Sequence, residues 1–262
     1  MKRWAGVWLV SVACAWSAAA QTGTAAKANP GAPPRVLLLV HQQFLPGKAG
    51  ARQQLQQQTA RSFDLLDVPA TWIELESLTG PPEALFFDPA DSFEGIEKAG
   101  TALAQLYGAH MDLAQSQQQI MELVASSRTV TAVRRDDLGY RADSIDLSKA
   151  RYLVMREVQV ASGQRQQFEE AVKAAGAGAS EMNWVVYEVN AGMPEGSYLM
   201  FAALTEMKGL DKDFGRSGQG SAGFWSQFPG ETNFYAIRPD MSHVAKEFAA
   251  GDPGFWVRKT GP

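Results

Sequence analysis

His41 and Glu157 are the two side chains best suited to move a proton together. Imidazole titrates near neutral pH, and a carboxyl group held among apolar neighbours is pushed towards it. The two stand at corresponding places in the chain. Setting Gly47 against Gly163 puts His41 opposite Glu157 and Gln43 opposite Gln159. Side chains alternate along a strand, so Leu37, Leu39, His41 and Gln43 form one row and Leu153, Met155, Glu157 and Gln159 another. Both rows begin apolar and end polar. The opposite faces (Val36, Leu38, Val40; Tyr152, Val154, Val158) suit packing on helices, with Arg156 the exception. The His41 and Glu157 rows are therefore expected to line the space between two sheets. His41 and Glu157 are the catalytic candidates there, with Gln43 and Gln159 as binding candidates.

Trp72, Glu74 and Glu76 share one strand face, and Trp184, Val186 and Glu188 are their counterparts. Pointing inward, they would give a cavity with two tryptophans and crowded carboxylates of raised pKa. Otherwise the tryptophans pack the core and the glutamates lie on solvated edges. Arg134 and Arg238 stand near the ends of matched strands, each followed closely by Asp. They could hold an anion, or each could fix its own turn. His110, seven residues after Leu103 in a helical stretch, could be an axial haem ligand. No attachment motif or second ligand supports that, and the other reading is a half-buried histidine bonded to a neighbour. His243 sits at a turn and is expected to be exposed. Gly218 to Gly223 spells G-x-G-x-x-G without the preceding strand or following helix that a dinucleotide site requires. No G-x-S-x-G, H-E-x-x-H, P-loop or EF-hand pattern occurs, and the Asp and Glu residues have no clustered His to complete a metal site. No cofactor is expected.

The elements that must position these residues come in two similar sets. Apolar runs open each: Val36 to Val40, then Tyr152 to Met155. A polar helical stretch follows, then a strand with Trp72 or Trp184. Next comes a Gly/Pro turn (Gly80-Pro81-Pro82; Gly192-Met193-Pro194) and a second apolar run (Leu85 to Phe87; Tyr198 to Phe201). Ala132-Val-Arg-Arg-Asp-Asp-Leu138 answers Ala236-Ile-Arg-Pro-Asp-Met241 with one gap. Phe168, Ala171, Val172 and Ala175 make one helical face; Ala51, Leu55, Phe63 and Leu66 make a weaker one. A helical stretch runs from about Ile96 to Ala125. Each set reads β-α-β-β-α-β, the split-βαβ or ferredoxin-like unit. Such a unit leaves one sheet face bare, and a second copy would cover it. The expected architecture is α+β: two tandem βαββαβ units packed sheet to sheet as an intrachain pseudo-dimeric α/β barrel. The first unit spans 35–148 and the second 149–248, with a tail at 249–262. Segments confined to one copy could cover one mouth of the barrel.

Met1-Lys2-Arg3, an apolar run from Trp4 to Ala15 and Ala18-Ala19-Ala20 form the layout of a secretory leader, 1–20. This predicts a periplasmic or secreted protein after cleavage near Ala20, followed by a disordered linker at 21–34. Cys14, the only cysteine, falls in that leader; cleavage there leaves no thiol for a disulfide, cluster or nucleophile. A lipoprotein anchored through Cys14 would ordinarily carry a branched aliphatic where Ser11 stands. The chain has 24 Lys+Arg against 28 Asp+Glu, a net charge of −4, and no basic block, which argues against nucleic acid as a partner. No later segment is apolar enough for a transmembrane helix.

The strand ending at Pro46-Gly47-Lys48, the Trp72 strand, Ser92-Phe93-x-Gly95 and Arg238-Pro239-Asp240 resemble the dimeric α/β-barrel superfamily, and within it the NIPSNAP-like branch. The resemblance implies a barrel that relatives build from two chains. It also implies roles that range from cofactor-free monooxygenases to haem binding. The expected function is an exported small-molecule-binding or accessory barrel, a monomer with internal pseudo-twofold symmetry. The space between its sheets is expected to hold a small, mostly apolar molecule or nothing. The alternatives are a cofactor-independent oxygenase or isomerase using the cavity His and Glu residues, or a haem-binding protein.

Overall fold

The computed structural model describes residues 29–68, 70–177, 182–211, 228 and 230–257. The leader, most of the linker, the Gly218–Gly223 motif and the last residues lie outside them. Eight strands are present: β1 Val36–Phe44, β2 Ile73–Ser77, β3 Glu83–Ala90, β4 Val124–Arg134, β5 Tyr152–Gln159, β6 Val185–Ala191, β7 Ser197–Leu204 and β8 Gly230–Ile237. They close into one barrel in the order β1-β3-β2-β8-β5-β7-β6-β4. Every neighbouring pair is antiparallel. Among the described residues the helices are α1 Ala49–Leu65, α2 Phe93–Ala109, α3 Met111–Met121 and α4 Arg165–Ala177, with two short turns, α5 Lys246–Ala249 and α6 Pro253–Trp256.

Alternation along the strands decides what fills the barrel. Leu37, Leu39, Ile73, Leu75, Leu85 and Phe87 point inward from β1, β2 and β3. Leu153, Met155, Val185, Tyr187, Leu199 and Phe201 meet them from β5, β6 and β7. Phe87 and Phe201 touch edge to face at 5.6 Å. Each such side chain contributes about 1.5–3 kcal/mol by leaving water. The space between the sheets is thus filled with side chains, not open to a ligand as the sequence suggested. The His41 and Glu157 rows do face it, as their alternation requires.

The inward places on β2 and β6 belong to Ile73, Leu75, Val185 and Tyr187, so Trp72, Glu74, Trp184 and Val186 turn outward beneath the helices. The inward tryptophan–carboxylate cavity is therefore absent, and Glu74 is wholly buried instead of lying at a wet edge. In the second half the expected helix face is the observed one: Phe168 and Val172 are buried against the outer sheet face. On α1 the buried face is one residue out of step with the apolar spacing. It consists of Arg52, Gln56, Thr59, Ala60 and Phe63, while Leu66 is exposed. The cause is Glu74, whose buried carboxylate accepts from Arg52. The helical stretch from Ile96 also ends early: it breaks at His110 and gives way to β4 at Val124.

One barrel end is closed by elements outside the strands. Trp256 and Phe248 pack at 5.0 Å under Ile145 and Leu147, and the Trp256 indole donates to the Ser148 carbonyl at 2.6 Å. Residues 29–34, within the expected disordered linker, are docked at this end. Tyr187 donates to the Pro34 carbonyl at 2.8 Å, and the Leu147 amide to that of Gly31 at 2.7 Å.

Candidate functional site

The other barrel end is polar because both inward rows finish with polar residues. Its open cleft, of about 340 Å³, is lined by His41, Gln43, Glu83, Arg128, Glu157, Glu231 and Asn233, among others. His41 and Glu157 reach this cleft but are bridged by Arg128, whose Nη2 lies 3.4 Å from His41 Nδ1 and 3.0 Å from Glu157 Oε1. A guanidinium only donates, so His41 Nδ1 is the ring's acceptor and Nε2 its donor. Nε2 meets Glu83 Oε2 at 2.6 Å, and the buried Tyr235 hydroxyl donates to Glu83 Oε1 at 2.7 Å. Burial alone would raise the Glu83 carboxyl; the hydrogen bonds from His41 and Tyr235 outweigh it and hold it low. Burial drives the Tyr235 phenol well above its ordinary value. These contacts engage His41, Glu83 and Glu157, while Glu231, opposite Glu157 on the neighbouring strand, adds a further carboxylate to the cleft. Gln43 accepts from Ser126 at 3.2 Å. Gln159 is used locally, donating to the Glu195 carbonyl at 2.6 Å and accepting from Ser197 at 2.9 Å.

The arginines are occupied too. Arg238 binds Glu76 and, at 2.9 Å, Asp240. Arg135 binds Glu188 and Asp137 at 2.8 and 2.9 Å. Arg134 binds Asp136 at 2.6 Å and the Pro33 carbonyl. Arg134 and Arg238 fix turns and strand ends, not an anion. His243 is 7 % exposed, not at the surface: it lies 5.4 Å from the Trp72 ring and contacts Asp64 at 2.6 Å and the Val68 carbonyl at 2.9 Å. His110 occupies the break between α2 and α3 and lines neither the cleft nor the larger cavity, so no geometry favours it as a haem ligand. Among the described residues no cluster of His, Cys, Asp and Glu could hold a metal ion.

The largest space lies on the outside of the barrel, between the outer face of β1 and β3 and helix α2, with α1 and α3 as side walls. It measures about 540 Å³. Leu38, Val40, Phe86, Phe63, Trp72 and Tyr107 supply most of its wall. It stays open because the face that α2 turns to the sheet is built from Gly95, Ile96, Ala99, Gly100 and Leu103. A Cβ placed on Gly100 would meet nothing within 4 Å, and no residue of α2 is buried. The corresponding outer face of the second half keeps about 20 Å³, beside Val154, Arg156 and Trp184. There Phe168 drives into the sheet, 4.6 Å from the Tyr198 ring and 5.0 Å from that of Phe228.

Three of the lining residues each carry one polar atom with no surface open to water and no hydrogen-bond partner: Gln42 Oε1, Thr59 Oγ1 and Asp88 Oδ1. Native interiors rarely leave such atoms unpaired. Asp88 as a whole is only part-buried, yet burial of its carboxyl pushes it up to about 7. Trp72 is held edge-on to Phe63 at 4.9 Å, its indole donating to the Met241 carbonyl at 2.9 Å. Burial also raises the Tyr107 phenol. Of these residues only Trp72 was singled out from sequence. The available signal was Asp88, a lone acid directly after Leu85-Phe86-Phe87.

No protein-family model and no curated protein matches the chain. Solved structures do. An anthrone oxidase-like protein is 12 % identical, with 78 % of this chain and 90 % of that chain covered at a TM-score of 0.50. A candidate monooxygenase of Fusobacterium nucleatum subsp. nucleatum is 10 % identical, with 79 % and 93 % covered at 0.52. Identities this low speak for the fold alone, and the fold is the dimeric α/β barrel. No helix among the described residues is long and apolar enough to cross a membrane.

Proposed function

We propose that this is an exported small-molecule-binding or accessory protein whose ligand occupies the cavity beneath α2. The observation that carries the reading is the 540 Å³ space with a largely apolar wall and one part-buried acid, Asp88, among its lining residues. Pockets of this size and character suit a drug-sized molecule. The test is thermal denaturation with 4-phenylbutan-1-ol, a neutral apolar probe, on the native chain and on Ala99→Trp, which fills the cavity from α2. The probe raises Tm of the native chain and not of the variant; at a hundred times Kd the gain is about 2.7 kcal/mol. An identical response of the two chains sinks the reading.

An enzymatic reading is supported by the fold shared with the anthrone oxidase-like protein and by Asp88, a carboxyl poised near neutrality inside the cavity. His41 and Glu157 are less suited to that work, since Arg128 and Glu83 already engage them. Turnover of any substrate found should be lost in Asp88→Asn and kept when His41 and Glu157 are both replaced.

The architecture is read as a tandem duplication of the NIPSNAP-like type, units 35–148 and 149–248, forming a monomer with internal twofold symmetry. Three matches support this. The strand orders β4-β1-β3-β2 and β8-β5-β7-β6 correspond. The Trp72 and Trp184 indoles donate to the carbonyls of Met241 and Leu138, each in the other half of the chain. Arg238 and Arg135 hold equivalent carboxylates. Superposing the halves of an experimental structure and measuring solution mass would test both parts.

A further inference from the structure

We propose that the cavity beneath α2 takes an organic amine, with the protonated nitrogen against Asp88 and the apolar body along Val40 and Phe86. This rests on the reading of that cavity as the ligand site. Its charge balance is one-sided: the charged side chains lining it are Asp88 and Asp91, and none of the lining residues is basic. The amino end of α2, capped by Ser92, offsets part of the charge on neighbouring Asp91. Asp88 has no such compensation. It stands on β3 opposite Leu38 of β1, and the next step of the β2–β3 register brings it level with Trp72.

A buried carboxyl flanked by an aromatic ring is complementary to a cationic nitrogen in two ways. The carboxylate forms a charge-assisted hydrogen bond, and the ring face attracts the cation. A neutral head can give the Asp88 carboxylate a hydrogen bond but no opposite charge, and an anionic one would be repelled.

The test is isothermal titration of the full chain at pH 8 with three probes of one shape: 4-phenylbutylamine, 4-phenylbutan-1-ol and 4-phenylbutyrate. The amine is expected to bind at least tenfold more tightly than the alcohol, and the acid at least tenfold more weakly. In Asp88→Asn the amine and alcohol should fall within twofold of each other. Equal binding of amine and alcohol to the native chain overturns the proposal and leaves the ligand-site reading standing. So does an amine preference that survives in Asp88→Asn. If none of the three binds, the ligand-site reading falls and the amine with it. The native-chain comparison decides the matter even if the variant does not fold.

Discussion

Arg52 and Glu74 form an ion pair in which both side chains are 0 % exposed. The guanidinium is sandwiched between the Phe44 and Phe86 rings, 4.9 and 5.2 Å from their centroids. Its Nε and Nη2, and Glu74 Oε2, have no partner. Burial lifts the Glu74 carboxyl to about 7 even against the pull of Arg52. Such a pair adds little net stability while intact but leaves a stranded charge when halved. Arg52→Met alone, and Glu74→Met alone, should each cost about 3–5 kcal/mol in urea denaturation. The double replacement should cost less than either, because it strands nothing. A double variant as unstable as the sum of the two would refute this.

Asp88 gives a pH signature. Its folded carboxyl holds a proton up to about 7, whereas the unfolded one releases it near 3.8. The native state therefore binds more protons between those values, and this group's contribution to stability is lost as pH rises through 7. Glu74 acts in the same direction; Glu83, Asp137 and Asp240, held low, act in the opposite one. The difference between Asp88→Asn and native isolates the one group. The variant should gain on the native chain by up to about 4 kcal/mol between pH 4 and pH 8. A flat difference profile would count against a buried, unpaired Asp88.

Gly100 and Gly192 should respond oppositely to alanine. Gly100 lies inside α2 and faces open space, so Gly100→Ala gains about 0.5–1 kcal/mol of helix propensity. Gly192, at φ +91°, would place its Cβ 2.0 Å from the Thr129 carbonyl oxygen. Gly192→Ala should lower Tm sharply, by the equivalent of 2 kcal/mol or more. Thermal denaturation of both variants checks the hairpin and the cavity at once.

Trp256 is the plug of the closed barrel end. Trp256→Ala removes a buried ring and leaves the Ser148 carbonyl without its donor, at a cost of about 3–5 kcal/mol. Chemical denaturation would show it; a loss under 1 kcal/mol would mean the tail is an ornament.

Sequence alone reached the strands, because alternation of Leu37, Leu39, His41 and Gln43 is a local property. It missed whatever depends on a distant partner. Arg52, Gln56 and Thr59 look like a solvated helix face until Glu74 is seen across from them. His243 looks like a turn residue until Trp72 and Asp64 enclose it. His41 and Glu157 share one cleft, and alternation alone says nothing of Arg128, which bridges them from β4. The cavity was missed because it is made by what is lacking: Ala99 and Gly100 read as ordinary helix residues, and only the layer beneath shows the gap they leave.

The final strand has a consequence for how the chain comes together. β8 fits between β2 and β5, and β6 seals against β4. A nascent chain that has made only its first half carries two raw seams, each offering unpaired amides and carbonyls to any strand that drifts by. Those seams are mended by segments made much later, over long loops that are slow to close. Passage through an unfinished, adhesive intermediate is therefore built into this topology. A helper that holds the early half until the late half is ready would act at the open edges of β2 and β4.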